Sequence, residues 1–203
     1  MKTGYSPKVK ELFMQPKNAG VMEDADVTAI AGSVACGDML KLYLKIDGEK
    51  GIIERATFES YGCVANIATS SMITEMVKGK TLEYARELTF KDEITALGGL
   101  PKIKYHCASL AVQALKIALN KWDFINGKKE LDEVFARSLL RGILDPSTDK
   151  DLIASGTVKR IEIDGRDVAL LIHISSEEHR DEILSNIAEV FEKMNVNLKI
   201  EEE

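Results

Sequence analysis

The sequence predicts an α+β protein in two units, and three observations carry that prediction. Apolar and polar residues alternate with a period of two at residues 39–47, as in a half-buried strand. Long segments after residues 63 and 107 instead carry apolar residues at helical spacing. A polar break, "NGKK" at 126–129, then separates this first run of elements from a second run that begins afresh.

The elements follow in order. In "SPKVKELFMQPKNAG", Ser6 is a cap and Pro7 a first helical residue, with Val9, Leu12 and Phe13 on one face and Pro16 and Gly20 as the stop. "VTAIAGS" (27–33) reads as a short strand. In "MLKLYLKID" (39–47), Leu40, Leu42, Leu44 and Ile46 lie on one side, with Lys41, Tyr43 and Lys45 on the other. "GIIERATFES" (51–60) follows a short turn and supplies an antiparallel partner. Val64, Ile67, Ala68, Met72 and Met76 then mark a helix that Gly79 ends. "TLEYARELTF" (81–90) gives one further short helix, and Gly98, Gly99 and Pro101 make 96–105 a turn-rich loop. From Cys107, the residues Leu110, Ala111, Ala114, Leu115, Ala118, Leu119 and Trp122 form a continuous apolar stripe. These elements make a unit over 1–125.

Beyond the break, 130–203 reads as a small α/β unit of helix, hairpin, helix and strand. Leu131, Val134, Phe135 and Leu139 mark the first helix, which "DPSTD" ends. "TVKRIEIDG" and "DVALLIHI" form a hairpin around Asp164–Gly165. Ile183, Leu184, Ile187, Val190, Phe191 and Met194 turn inward from a second helix, and "VNLKIE" closes as a strand.

Composition narrows the function. A chain of 203 residues with 45% hydrophobic and 30% charged residues is globular, and long enough to fold without a disulfide or metal staple. A net charge of -6 and the lack of a basic stripe interleaved with aromatics argue against nucleic-acid binding. Apolar runs such as "VALLI" (168–172) are far too short to span a membrane, and "MKTGYSPKVKELF" lacks the apolar core of a secretory signal. A cytoplasmic location is expected.

Three cysteines remain, Cys36, Cys63 and Cys107, too few and too scattered for a disulfide framework. Each falls at the end of an element. Cys36 precedes a strand beside Gly37 and Asp38, Cys63 lies where a strand meets a helix, and Cys107 follows His106 where a loop meets a helix. At the last two joints a helix N-terminus favours the thiolate. Taken singly, each cysteine fits a buried core position, His106 a surface or cap position, and Asp38 a turn. Taken together, three thiolates with His106 or Asp38 supply the four ligands of a sulfur-rich tetrahedral site.

The blocks "GSVACGDMLKLYLKI", "FESYGCVANIATSSMITEMVKGKTLEYA" and "ALGGLPKIKYHCASLAVQALKIAL" resemble, in order and spacing, the signature blocks of the IscU/NifU-type iron–sulfur cluster scaffolds. The resemblance spans about residues 5–122. It implies an IscU/SufE-like domain with a three-stranded antiparallel sheet under helices. It also implies that Cys36, Cys63 and Cys107 are cluster ligands, with His106 and Asp38 as the remaining ligand or exchange partner. The sequence departs from the family pattern at Val64, where a second glycine is usual, and at Lys102, where a second proline is usual. The latter departure argues against dependence on a DnaK-type chaperone. Residues 139–183 resemble the small domain of SufT- and PaaD-type proteins. No cysteine follows residue 107, so that domain carries no thiol chemistry and a docking role is expected; His179 reads as a surface residue at a helix start.

The resemblance implies a scaffold, not an enzyme that turns over alone. A 2Fe–2S cluster is built from iron and persulfide sulfur supplied by a cysteine desulfurase, then passed to apo iron–sulfur acceptor proteins. Cys107 is the implied persulfide acceptor, and zinc can occupy the site in the absence of a cluster. The amphipathic N-terminal helix and the extra domain offer surfaces for a homodimer. Two alternatives are a zinc-dependent sulfurtransferase of SufU type and a structural zinc protein. The SufU type carries an insertion between the second and third cysteines and lacks the histidine, whereas this chain has His106 and a short connection.

Overall fold

The computed structural model of the chain describes residues 4–33, 37–148 and 150–203. Cys36, one of the expected ligands, lies outside the described residues. The chain divides into two compact units at Leu119/Asn120.

The first unit opens with α1 (Pro7–Met14), whose N-cap Ser6 accepts a hydrogen bond from the Val9 amide. β1 (Val27–Ser33), β2 (Asp38–Asp47) and β3 (Ile52–Tyr61) form an antiparallel sheet in that order. α2 (Val64–Val77) packs on β2 and β3, and both α1 and α4 (Phe90–Ala96) pack on α2. α2 is therefore buried on most of its surface, and its polar Thr69, Ser70, Ser71 and Thr74 are buried with it. Ser71 explains how a buried hydroxyl is tolerated, because its Oγ accepts from the Lys17 amide at 2.8 Å and donates to the Lys17 carbonyl at 3.2 Å. Val9, Leu12, Ala68, Met72 and Leu97 close a core between α1, α2 and the end of α4. Fully burying one such leucine contributes about 1.5–3 kcal/mol.

The segment expected to be one helix over 81–90 and a loop from 96 differs. α3 (Leu82–Glu87) stops at Leu88, and Thr89 starts α4. A capping box causes the break: Thr89 Oγ1 accepts from the Asp92 amide while the Asp92 carboxylate accepts from the Thr89 amide. The loop that follows contains a 3-10 turn at Lys102–Lys104, and α5 (Tyr105–Ile125) begins two residues before Cys107.

Tyr43 also differs from its expected outward, half-wet place. It is buried with Met22 and Ala25, because residues 18–26 fold across the outer face of the sheet. Its hydroxyl donates to Glu59, and burial followed by that bond pushes its pKa up to about 12.

The second unit takes the last turns of α5, then α6 (Glu133–Leu140), capped by Asp132. Val134, expected on the inner face of α6, is 77% exposed; Phe135, Ala136, Leu139 and Leu140 make that face instead. A short ladder of β4 (Leu144–Asp145) with β5 (Lys150–Asp151) follows. β6 (Val158–Asp164) and β7 (Asp167–Ile172) form the expected hairpin, with Gly165 at φ +58° in the tight turn. α7 (Arg180–Phe191) then leads to β8 (Asn197–Glu202), which pairs parallel with β7. The division at Leu119/Asn120 falls inside α5, before the polar break at 126–129. Phe124 gives a physical reason: it is buried in the second unit, under the guanidinium of Arg166 at 4.9 Å from its ring centre.

Candidate metal centre

Strand pairing places the first two groups. Met39 pairs with Tyr61, so Asp38 at the start of β2 faces Gly62 and Cys63 just past the end of β3. Cys63 is the N-cap of α2, and its own side chain makes no capping bond. Its amide instead donates to Asp38 Oδ1 at 2.8 Å. Gly62 permits this approach, since a Cβ there would sit 2.3 Å from Asp38 Oδ1.

α5 brings the remaining groups from the other side. Cys107 Sγ lies 3.8 Å from Cys63 Sγ, well beyond a disulfide bond, and both are free thiols. Both also point at one oxygen: Asp38 Oδ2 is 3.6 Å from Cys63 Sγ and 3.5 Å from Cys107 Sγ. His106 Nε2 is 3.8 Å from the same Oδ2, too far for a hydrogen bond. The ring is 39% exposed, yet this nitrogen is buried and has no partner. Ligand atoms of Asp38, His106 and Cys107 lie within 4.8 Å of one another, a spacing that could hold a metal ion.

The expectation that the helix N-terminus favours a thiolate at Cys107 is corrected. Cys107 is fully buried, and its thiol pKa is pushed far up, first by burial and then by the neighbouring Cys63 and Asp38. Desolvation outweighs the partial positive charge of the helix end. Asp38 is also buried, at 1% exposure.

Four of the five expected residues, Asp38, Cys63, His106 and Cys107, converge. Three more belong to the surroundings. Lys104 Nζ donates to Cys63 Sγ at 3.4 Å, a contact that raises the lysine pKa. Its place in the same block as His106 and Cys107 was the available signal. Tyr5 has its pKa raised by burial and then by the charge of Cys63. Asn66 is buried in the first turn of α2, and only the register of β2 and β3 reveals it.

Residues 4–129 match the family described as NifU-like N terminal domain. The chain belongs to this family. Residues 134–195 of the NifU-like chain match a second family, described as iron-sulfur cluster assembly protein. The iron-sulfur cluster assembly scaffold protein IscU of Aquifex aeolicus is 43% identical over 126 residues, which cover 62% of this chain and 80% of that protein. IscU 1 of Archaeoglobus fulgidus is 47% identical over 124 residues, covering 61% of this chain and 80% of that protein. The nitrogen fixation protein NifU of Nostoc sp. is 43% identical over 121 residues, and there the match spans 40% of the relative. A solved N-terminal NifU-like structure from Brucella abortus aligns with a TM-score of 0.46 at 21% identity, covering 58% of this chain and 93% of that one. Among the described residues, no helix is long and apolar enough to cross a membrane.

Proposed function

We propose that the chain is a scaffold on which a 2Fe–2S cluster is assembled, held and passed to apo acceptor proteins. The observation that carries this reading is the buried, unpartnered Nε2 of His106, set against two free thiols and a buried carboxylate. A ring nitrogen kept from water with no hydrogen bond is costly unless a further atom completes its environment. The donor set of sulfur, imidazole and carboxylate suits iron and zinc. Iron and sulfide are cargo here, so the chain is a carrier and not a catalyst that turns over alone.

Sulfur arrives as a persulfide on a cysteine desulfurase. The Cys107 thiolate attacks the outer sulfur, a new S–S bond forms, and the donor cysteine leaves as its thiolate. Each transferred sulfur takes two electrons, from a thiol or an electron-carrier protein, to become sulfide. Because Cys107 is buried and its thiol is hard to ionise, partner docking must open the site before attack. A second reading of this step follows from the partial exposure of Cys63 and its contact with Lys104. In that reading Cys63 receives sulfur first and passes it across the 3.8 Å gap to Cys107.

Anaerobic reconstitution with iron, cysteine and a desulfurase, followed by visible absorption, tests the scaffold. Cluster bands are expected. A zinc-loaded protein that relays sulfur without forming a cluster would establish the sulfurtransferase instead, and inert zinc would establish a structural site. Mass spectrometry of the same mixture should find persulfide on Cys107; label held only on Cys63 would assign the acceptor role there.

A further inference from the structure

Asn66 lies at the point where the two strands and the helix of the site meet. It is fully buried, three residues after Cys63, in the first turn of α2. Its Nδ2 lies 2.8 Å from Ser60 Oγ, 3.2 Å from the Met39 carbonyl and 3.4 Å from the Tyr61 carbonyl. Met39 and Tyr61 are the last residues paired between β2 and β3 at this end of the sheet. Asp38 precedes the one, and Cys63 follows the other by two residues. One side-chain amide therefore clamps both strand ends to the helix that Cys63 begins.

The clamp also abuts the Asp38 carboxylate. A Cβ on Gly62 would lie 2.8 Å from Asn66 Nδ2 and 2.3 Å from Asp38 Oδ1, so amide and carboxylate both crowd the space beside the same glycine. One turn further along α2, Thr69 Oγ1 donates to the Asn66 carbonyl at 3.0 Å and reaches the Cys107 carbonyl at 3.4 Å. Cys63, Asn66 and Thr69 recur every three residues, so they form a row on one side of α2. That row runs from one thiol to the backbone of the other. The donor side of Asn66 is engaged, while its Oδ1 is buried without a partner. The amide is oriented by what its N–H groups hold.

We propose that Asn66 is a positioning residue of the metal centre, fixing the separation of Asp38 and Cys63 by tying the ends of β2 and β3 to the first turn of α2. Its amide hydrogen bonds go to Ser60 and to the Met39 and Tyr61 carbonyls rather than to a ligand atom. Removing its donor deletes no ligand but lets the strand ends and the helix start move apart. Metal would then be held at a distorted site and released faster. This inference rests on the scaffold reading, in that the same ligands must hold a metal.

Co²⁺ is the probe, because thiolate ligation gives a charge-transfer band and its d–d bands report ligand geometry. Asn66→Ala in the full chain should bind Co²⁺ at least tenfold more weakly, with shifted d–d bands. Asn66→Ser, whose short hydroxyl can turn to the carbonyl of the N-cap Cys63 three residues before it, should behave the same way if the alanine variant folds poorly. Ser71→Ala is the control. It removes two hydrogen bonds from the same buried helix away from the site, and should bind Co²⁺ as the parent does even where it unfolds as easily. Parent-like affinity and bands in either Asn66 variant would overturn the proposal, as would an equal loss in Ser71→Ala. A parent protein with no sulfur-to-cobalt band would overturn the scaffold reading itself and this inference with it.

Discussion

Glu93 is a titratable group with a sharp consequence for stability. It lies in α4, is fully buried, and neither carboxylate oxygen has a hydrogen-bond partner. Leu97, one turn later on the same helix, packs into the core with Val9, Leu12, Ala68 and Met72. Burial therefore holds the Glu93 pKa well above the usual carboxylate range, so the folded chain keeps the proton that the unfolded chain releases. Between the unfolded value near 4.5 and the higher folded value, the native state binds more protons. Stability is then complete below that window, falls as pH rises through it, and levels off above the folded pKa. One proton sets the limiting slope at about 1.4 kcal/mol per pH unit. Glu93→Gln removes the titration and keeps the shape. Urea unfolding followed by circular dichroism at pH 5, 6 and 7 gives the difference between parent and variant, from which other titrating groups cancel. The variant should gain on the parent by up to about 1.4 kcal/mol for each unit of rising pH within the window. Its own buried amide adds only a constant offset. Parallel curves over this range, or a parent that gains on the variant as pH rises, would refute the reasoning.

Two further outcomes are expected. Asp38→Ala removes the bond to the Cys63 amide, and loss of a helix-end cap of this kind costs about 1 kcal/mol in thermal or urea unfolding. It should also slow transfer of a reconstituted cluster to an apo acceptor, because a hard oxygen donor that helps iron exchange is gone; equal or faster transfer would leave Asp38 with the cap alone. A chain ending near Phe124 should still fold and take up a cluster, since the described candidate ligands all precede Leu119; an intact fold with no cluster would mean that later residues complete the site.

Local rules read well where local rules decide. Alternation in β2, the Gly79 stop, the Ser6–Pro7 helix start and the Gly165 turn all follow from periodicity or from backbone geometry particular to one residue type. The two described thiols also fall at joints, with Cys63 as N-cap and Cys107 in a first helical turn. The misses have long-range causes. Tyr43 is covered by a segment some twenty residues away in sequence, which strand alternation cannot register. Glu93 occupies a core position with a polar side chain, so hydrophobic pattern hides it. The break between α3 and α4 is an exception, because the Thr89–Asp92 capping pair was legible and outweighs the helical spacing across it.

The chemistry of the centre turns on how Asp38 divides its two oxygens. Oδ1 accepts the Cys63 amide at 2.8 Å and so belongs to the start of α2. Oδ2 faces both thiols at about 3.5 Å and the buried nitrogen of His106 at 3.8 Å. A carboxylate pinned by one oxygen and presenting the other does not need to swing in order to meet a metal. The proton on Cys107 then opposes loading, since burial, the neighbouring Cys63 and the carboxylate all favour its neutral thiol. An incoming cation would reverse that balance, since it stabilises thiolate and carboxylate together and displaces the Cys107 proton. Loading should therefore release protons and strengthen with rising pH, while a carboxylate already in place offers a weak oxygen contact whenever a sulfur contact is broken. That arrangement would suit the proposed hand-over of cargo.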